Sequence, residues 1–297
     1  MSKWILILWL AGLCLDAAAA RILHEERSLY SRIVVLERGD IVCLQFNIRR
    51  DQRNQSCMNK RRPKEMVFAY TRMSMAGLLF NPQPRNVLVV GLGGGTVPTA
   101  LHQLFPNANI DSIEVDAAVL DVAERYFGFL ANDKLRAYVS DARVWVKRAT
   151  QRKRRYDFVL LDAFNGEYIP EHLMTQEFLQ EVRAIMTDDG LLLANTFSIS
   201  DLYHHESATY AKVFGGFIDF QVSESANRVI VVPGTQITDA KLHERALMLK
   251  PLLAPYDVPI QRYARLIEKL RRKPPGWRQD ARPLSDQFSP ANLLQGR

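Results

Sequence analysis

The chain has 297 residues, 47% hydrophobic and 24% charged, with a net charge of +7. This composition excludes disordered, collagen-like and low-complexity classes and supplies the apolar residues of a substantial core. The basic balance admits nucleic acid or an anionic membrane as partner, against the plainer reading of a solvated basic face.

The first residues, MSKWILILWLAGLCLDAAAAR, place Lys3 before an apolar run over 4–15 and small residues over 17–20. That layout predicts a secretory signal peptide or a short membrane anchor over residues 1–20. The run is shorter than the roughly 20 residues of a comfortable span. Arg21, Arg27, Arg32 and Arg38 follow it, a bias that favours keeping the downstream chain in the cytoplasm. The side of the membrane stays open. Cys43 and Cys57, the cysteines beyond the leader, pair if the chain is exported and are two small buried hydrophobes if it is not. No cysteine–histidine cluster has metal-ligand spacing, and His204 and His205 read as surface residues.

Strand patterns over 30–36 and 41–46 flank the turn signal Glu37-Arg38-Gly39-Asp40 and predict a hairpin. Residues 49–64 are polar and basic and predict a loop or a distorted strand. Met66, Ala69, Met73, Ala76 and Leu79 recur at helical spacing, predicting a helix over 65–80 that Pro82 and Pro84 end. From Asn86 the rhythm changes. Apolar strands at 86–90, 110–115, 135–139, 156–161 and 191–197 alternate with helices at 97–104, 117–127, 142–149 and 175–186, the last ended by Asp188-Asp189-Gly190. Such alternation predicts a parallel sheet covered on both faces. Runs at 217–222 and 228–232 predict a closing antiparallel pair. Residues 239–272 read as two helices broken near 251–259. The chain thus divides into the leader, a small N-terminal β domain (28–64), a doubly wound α/β domain (65–272) and an irregular tail (273–297).

The segment VVGLGGGTVPTAL leaves the first strand of the α/β unit through Gly91, Gly93, Gly94 and Gly95. No Lys-Ser/Thr pair follows Gly95, which excludes a phosphate-cradling P-loop. The dinucleotide pattern fits imperfectly, because Thr96 stands at its third glycine; Thr96 instead reads as a helix cap. The strand tips discriminate further. Glu114, Asp141 and Asp162 end three successive strands and share one crevice in a doubly wound sheet. Helix capping is the alternative for Asp116 and Asp141. A glutamate at the second tip accepts hydrogen bonds from ribose hydroxyls, and so acidic a crevice suits a cationic ligand, a sulfonium or an ammonium.

Four stretches, VLVVGLGGGTVPTAL, IEVDAAVLDVAERYF, LRAYVSDARVWV and YDFVLLDAFNGEYIPEHLMTQEFLQEVRAIMTDDGLLLANTF, together resemble the spermidine synthase (polyamine aminopropyltransferase) family from about Tyr30 to Val232. The ending ARPLSDQFSPANLL is similar to a bacterial spermidine-synthase-like branch often joined to a transporter-like membrane region. The resemblance implies a Rossmann-like core of the class I methyltransferase type behind a small N-terminal β domain. It implies decarboxylated S-adenosylmethionine as co-substrate, an amine such as putrescine as acceptor, no metal, and a homodimer. It places Gly91, Gly93, Gly94 and Gly95 against the nucleoside, with Glu114 on the ribose and Asp141 and Ala142 beside the adenine. Gln55 would be a retained binding residue and Asp162 the general base and acceptor site, with Asn165 and Tyr168 on the acceptor side. The chain departs from the family pattern at Thr96 and Asn165, where acids are usual, at Ser31, and at Phe68-Ala69-Tyr70. Glu167 and Tyr168 are candidates to compensate for Asn165.

Two rival readings accompany this one. The first is an S-adenosylmethionine-dependent methyltransferase on the same core, which Thr96 favours. The second is a non-catalytic nucleoside- or nucleic-acid-binding relative, supported by basic clusters at 49–64, 147–155 and 271–273. Those clusters lack interleaved aromatics and match no nucleic-acid module, so no nucleic-acid partner is expected.

Overall fold

Two sheets organise the chain in the computed structural model, which describes residues 20–46, 53–163, 169–197 and 202–289. The leader reading falls almost wholly outside the described residues, as do Asn165, Glu167 and Tyr168.

The first sheet is antiparallel, in the order β1 (Arg21–Arg27), β2 (Arg32–Arg38), β3 (Ile41–Phe46), β4 (Asn54–Asn59). It begins at Arg21, before the strand expected from the sequence, and of the loop or distorted strand expected over 49–64, β4 is the strand, its register against β3 shifting between Leu44 and Gln45. Both were obscured by polar composition. The sequence RILHEER forms an edge strand with one face in solvent, so no apolar alternation marks it. The hairpin turns at Gly39, with φ at 58°. Ile33, Val35, Val42 and Leu44 point inward and pack on Val119 and Val122, fixing this sheet to the larger unit. Cys43 faces Cys57 across β3 and β4, and the two form a disulfide. Closing a loop of this length stabilises the fold by about 3 kcal/mol in the chain-entropy account.

After β4, the expected helix over 65–80 is shorter. An α-helix, α1 (Ala69–Ser74), passes into a 3-10 turn at Met75–Leu79. The second sheet holds seven strands in the order β10-β11-β9-β8-β5-β6-β7. Here β5 is Asn86–Val90, β6 Asn109–Glu114, β7 Leu135–Val139, β8 Tyr156–Leu161, β9 Met186–Phe197, β10 Ile218–Gln221 and β11 Asn227–Val232. Strands β5 to β9 run parallel, and β11 and β10 close the edge antiparallel. Val87, Val89, Phe158 and Leu160 pack in one apolar layer, Leu88, Val90, Val159 and Leu161 in the other. Burial on both faces explains their unbroken apolar runs.

The connecting helices are α2 (Thr96–Leu104), α3 (Ala117–Tyr126), α4 (Ala142–Gln151), α5 (Gln176–Ala184) and α6 (Leu202–Phe214). Helix α5 ends at Ala184, and Met186 already pairs with Tyr156. Asp188-Asp189-Gly190 therefore lies in an irregular stretch of β9, where register shifts, and does not end a helix. Helix α6 is absent from the sequence reading because its LYHHESATYAKVF pattern is weakly amphipathic. Its buried Glu206 and Ser207 face the fully buried Arg228 instead of apolar neighbours. Two helices follow, α7 (Asp239–Leu253) and α8 (Ile260–Arg271). Among the described residues no helix is long and apolar enough to cross a membrane.

Candidate active site

The strand order reverses direction between β5 and β8, and ligands of doubly wound sheets bind beyond that point. Here the tips are joined tightly. The Gly91 N–H donates to the Ile113 carbonyl at 2.8 Å, and the Asp162 N–H donates to the Val90 carbonyl at 2.7 Å. Gly91 has φ at 94°, and a Cβ on it would lie 2.2 Å from the Asp162 carbonyl oxygen. Any side chain would force β5 from β8, so this glycine brings the two strand tips together.

The other glycines divide by role. Gly93 opens to the cleft, its nearest prospective contact being Ser56 at 3.7 Å. Gly94 and Gly95 do not line the cleft, contrary to the expectation that all four face the nucleoside. Cβ atoms there would lie 2.6 Å from the Ser56 hydroxyl and 2.5 Å from the Phe129 ring, so both serve packing. Gly95, with φ at 71°, is the N-cap of α2, and no side chain caps that helix. Thr96 is consequently its first helical residue, not its cap, and lines the cleft.

The cleft measures about 850 Å³ and is walled by the larger sheet's strand tips and by β4. Glu114, Asp141, Ala142, Asp162 and Gln55 all border it. Glu114 accepts from the Leu92 N–H and from the Asp116 N–H, each at 3.1 Å and on a different oxygen. Burial pushes its pKa up, against the pull of these backbone bonds. Each carboxylate oxygen keeps a lone pair for a hydroxyl donor, so the site fits a ribose diol. Asp141 both borders the cleft and caps α4 by accepting from the Val144 N–H at 2.9 Å. The capping alternative is thus realised without removing it from the site. Its second oxygen meets His172 Nε2 at 2.8 Å. Partial burial opposes ionisation, yet the Val144 and His172 bonds prevail and hold this carboxyl below its usual range. Asp116 caps α3 by accepting from the Ala118 N–H at 3.0 Å.

Asp162 differs from these acids. It makes no helix cap, and its Oδ1 accepts from Asn195 Nδ2 at 2.8 Å. Asn195 in turn accepts from Asn227 Nδ2 at 3.1 Å. Burial raises the Asp162 pKa to about 7; the Asn195 bond pulls against this, and the nearby Glu114 charge adds to it. A carboxylate tuned near neutrality is suited to take a proton. Burial of the neighbouring Tyr70 hydroxyl, and after it the Asp162 charge, hold that phenol well above its ordinary range. The Tyr70 hydroxyl reaches the Gln55 carbonyl at 3.4 Å.

Asn195, Asn227 and His172 were not singled out in the sequence. All three border the cleft. Neutral amides carry no signature of chemistry, and only the antiparallel pairing of β11 on β9 brings these two together. Among the described residues no cluster of three potential metal ligands occurs.

Known proteins resemble this chain in sequence and in fold. A model of the spermine/spermidine synthase domain matches residues 67–246. A polyamine aminopropyltransferase of Vibrio vulnificus is 48% identical over 277 residues, 92% of this chain and 91% of that protein. An eEF1A lysine and N-terminal methyltransferase of Bos taurus is 28% identical over 233 residues, 73% of this chain but 31% of that protein. A probable spermidine synthase from Corynebacterium glutamicum superposes with a TM-score of 0.65 at 18% identity, covering 88% of this chain and 99% of its own. A spermidine synthase bound to the transition-state analogue AdoDATO gives 0.58 at 18% identity, covering 91% and 84%. Those two structures speak for the fold alone.

Proposed function

This chain belongs to the spermine/spermidine synthase family, and on that premise we propose that it transfers an aminopropyl group from decarboxylated S-adenosylmethionine to an amine such as putrescine. The observation that carries the reading is Asp162, a buried carboxyl poised near neutrality at the switch point, beside a glutamate placed for a ribose. The acceptor nitrogen is an ammonium at neutral pH, with a pKa of about 10 by analogy with lysine, and has no lone pair to attack with. Asp162 holds that ammonium and accepts its proton on its carboxylate, whose Oδ1 also accepts from Asn195. The freed amine attacks the aminopropyl carbon bonded to the sulfonium; that C–S bond breaks, and its electron pair returns to sulfur, leaving a neutral thioether. Glu114 and the glycine turn bind the nucleoside, and Asp141 with Ala142 flanks its base.

The test is release of 5′-methylthioadenosine from decarboxylated S-adenosylmethionine and putrescine, run beside S-adenosylmethionine with methyl acceptors. Methylated product with release of S-adenosylhomocysteine and no 5′-methylthioadenosine would overturn the reading in favour of methyl transfer, the activity named for the eEF1A-modifying relatives. The pH profile is specific. With a pKa near 7, Asp162 is deprotonated only above neutrality, so kcat/KM should rise through about pH 7 and flatten beyond it. A profile flat from pH 5 to 8 would remove Asp162 from the role of base.

We further propose that residues 1–20 bring the domain to the membrane and that it lies on the oxidising side, a placement that requires its adenosyl donor to be delivered from the cytoplasm. The Cys43–Cys57 disulfide supports this placement, since such bonds persist in oxidising compartments. In intact cells both cysteines should resist alkylation until reduced. Alkylation without reductant would place the domain in the cytoplasm, where adenosyl donors are made.

A further inference from the structure

Residues 273–289 follow α8 as irregular chain, yet the stretch from Arg278 onward is fastened at every few residues. The Arg278 N–H donates to His204 Nδ1 at 3.1 Å, and His205 Nδ1 donates to the Arg282 carbonyl at 2.7 Å. The adjacent histidines of α6 are thus clasps for this segment rather than idle surface residues. Leu284 is fully buried, its N–H donating to Thr209 Oγ1 at 2.8 Å and its carbonyl accepting the Gln176 N–H at 2.9 Å. Arg282 stacks on Phe288 at 3.9 Å.

The segment then reaches the back of the cleft. Both Asp286 oxygens accept from Arg143, each at 2.7 Å, and Oδ1 also accepts from Thr175 Oγ1 at 2.8 Å. Arg143 completes a second fork with Glu181, at 2.9 and 3.0 Å. Two forks on one planar guanidinium fix its position in a way a point charge does not. Arg143 directly follows Asp141 and Ala142, which border the cleft. Three residues past Asp286, Ser289 Oγ donates to the Glu171 carbonyl at 3.3 Å. Glu171 opens the 3-10 turn Glu171–Leu173, whose His172 and Leu173 border the same side of the cleft. His172 holds Asp141. The segment therefore holds a chain neighbour of each partner of the Asp141–His172 bond, Arg143 on one side and Glu171 on the other.

We propose that residues 278–289 form a strap that positions the base-binding wall of the cleft, with Arg143 and Asp286 as its positioning pair. The proposal rests on the nucleoside reading given above. Neither residue touches the nucleoside. Each acts through Asp141, Ala142 and His172. The Asp286 side chain is 42% exposed, so its pair with Arg143 adds little to global stability, and its removal should be felt locally.

The test uses the full chain with Asp286→Ala and Asp286→Glu. Calorimetric titration with 5′-methylthioadenosine should show roughly fivefold weaker binding for Asp286→Ala, the size of a coupling passed through one lost contact. Asp286→Glu should restore most of it, and KM for the amine should not move. Amide exchange at Leu173 and Met174, in the turn itself, should quicken in Asp286→Ala without any ligand present. Unchanged nucleoside affinity and unchanged exchange, with only a lowered melting temperature, would overturn the strap while leaving the proposed function intact. A wild-type chain that binds no adenosyl compound would overturn both.

Discussion

Asp162→Asn is expected to lower turnover about a thousandfold, within the range that a positioned base contributes, while 5′-methylthioadenosine binds as in the wild type. The substitution keeps an oxygen to accept the Asn195 N–H, so the local hydrogen bond survives. In the proposed role of Asp162, it removes the charge that would hold the ammonium and the lone pair that would take its proton. Stability distinguishes this outcome from damage to the fold. The folded pKa of Asp162 lies near 7, above its ordinary value of 3.8. For a raised carboxyl, the native state binds the proton more tightly than the unfolded state does. Its contribution to stability is therefore present below about pH 4 and is lost as pH rises through 7. At pH 8 the wild type carries a buried charge that the variant lacks, and Asp162→Asn should be more stable there, on the order of a few kcal/mol. An inactive variant that melts lower than the wild type at pH 8 would point to misfolding and remove the evidence for a base.

How much of this was legible beforehand depends on what each residue is buried against. Strands β5 to β9 announce themselves because both faces of a parallel sheet are covered, leaving apolar runs such as NVLVV and YDFVLL. Glu114 and Asp162 follow from them, since an acid ending such a run must stand at the sheet's ligand-binding edge. Strands β1 and β4 each show one face to water, and their polar residues disguise them. Helix α6 hides for the opposite reason. Its inner face mixes the apolar Leu202, Tyr210 and Val213 with polar residues, because it also satisfies Arg228, a fully buried cation reached by Thr196, Ser207 and Glu206. The glycine run was legible as a turn but not in its division of labour, because Gly94 and Gly95 answer to Phe127 and Phe129, more than thirty residues on. The amide chain from Asn227 through Asn195 to Asp162 depends on register between antiparallel strands, and register is a property of the sheet, not of either segment.

Glu114→Ala should act on the opposite half of the reaction. Two hydrogen bonds from ribose hydroxyls to a carboxylate are each worth about 1.5–3 kcal/mol. Losing them also strands the Leu92 and Asp116 N–H groups that Glu114 now satisfies. Water replaces part of this, so donor affinity should fall about a hundredfold, near the lower bound of the pair. Turnover at saturating donor should stay within a few-fold of wild type, because the proton acceptor is untouched. The same substitution carries a second, independent signature. The Glu114 charge helps raise the Asp162 pKa, so without it the rising limb of the pH profile should move to lower pH. Glu114→Gln separates the two effects, since it keeps a carbonyl for one backbone N–H while removing the charge. It should shift the limb in the same direction and weaken the donor less. A Glu114→Ala variant that loses turnover with the donor saturated, or whose pH limb stays in place, would contradict the separation of roles between the ribose-binding tip of β6 and the proton-accepting tip of β8.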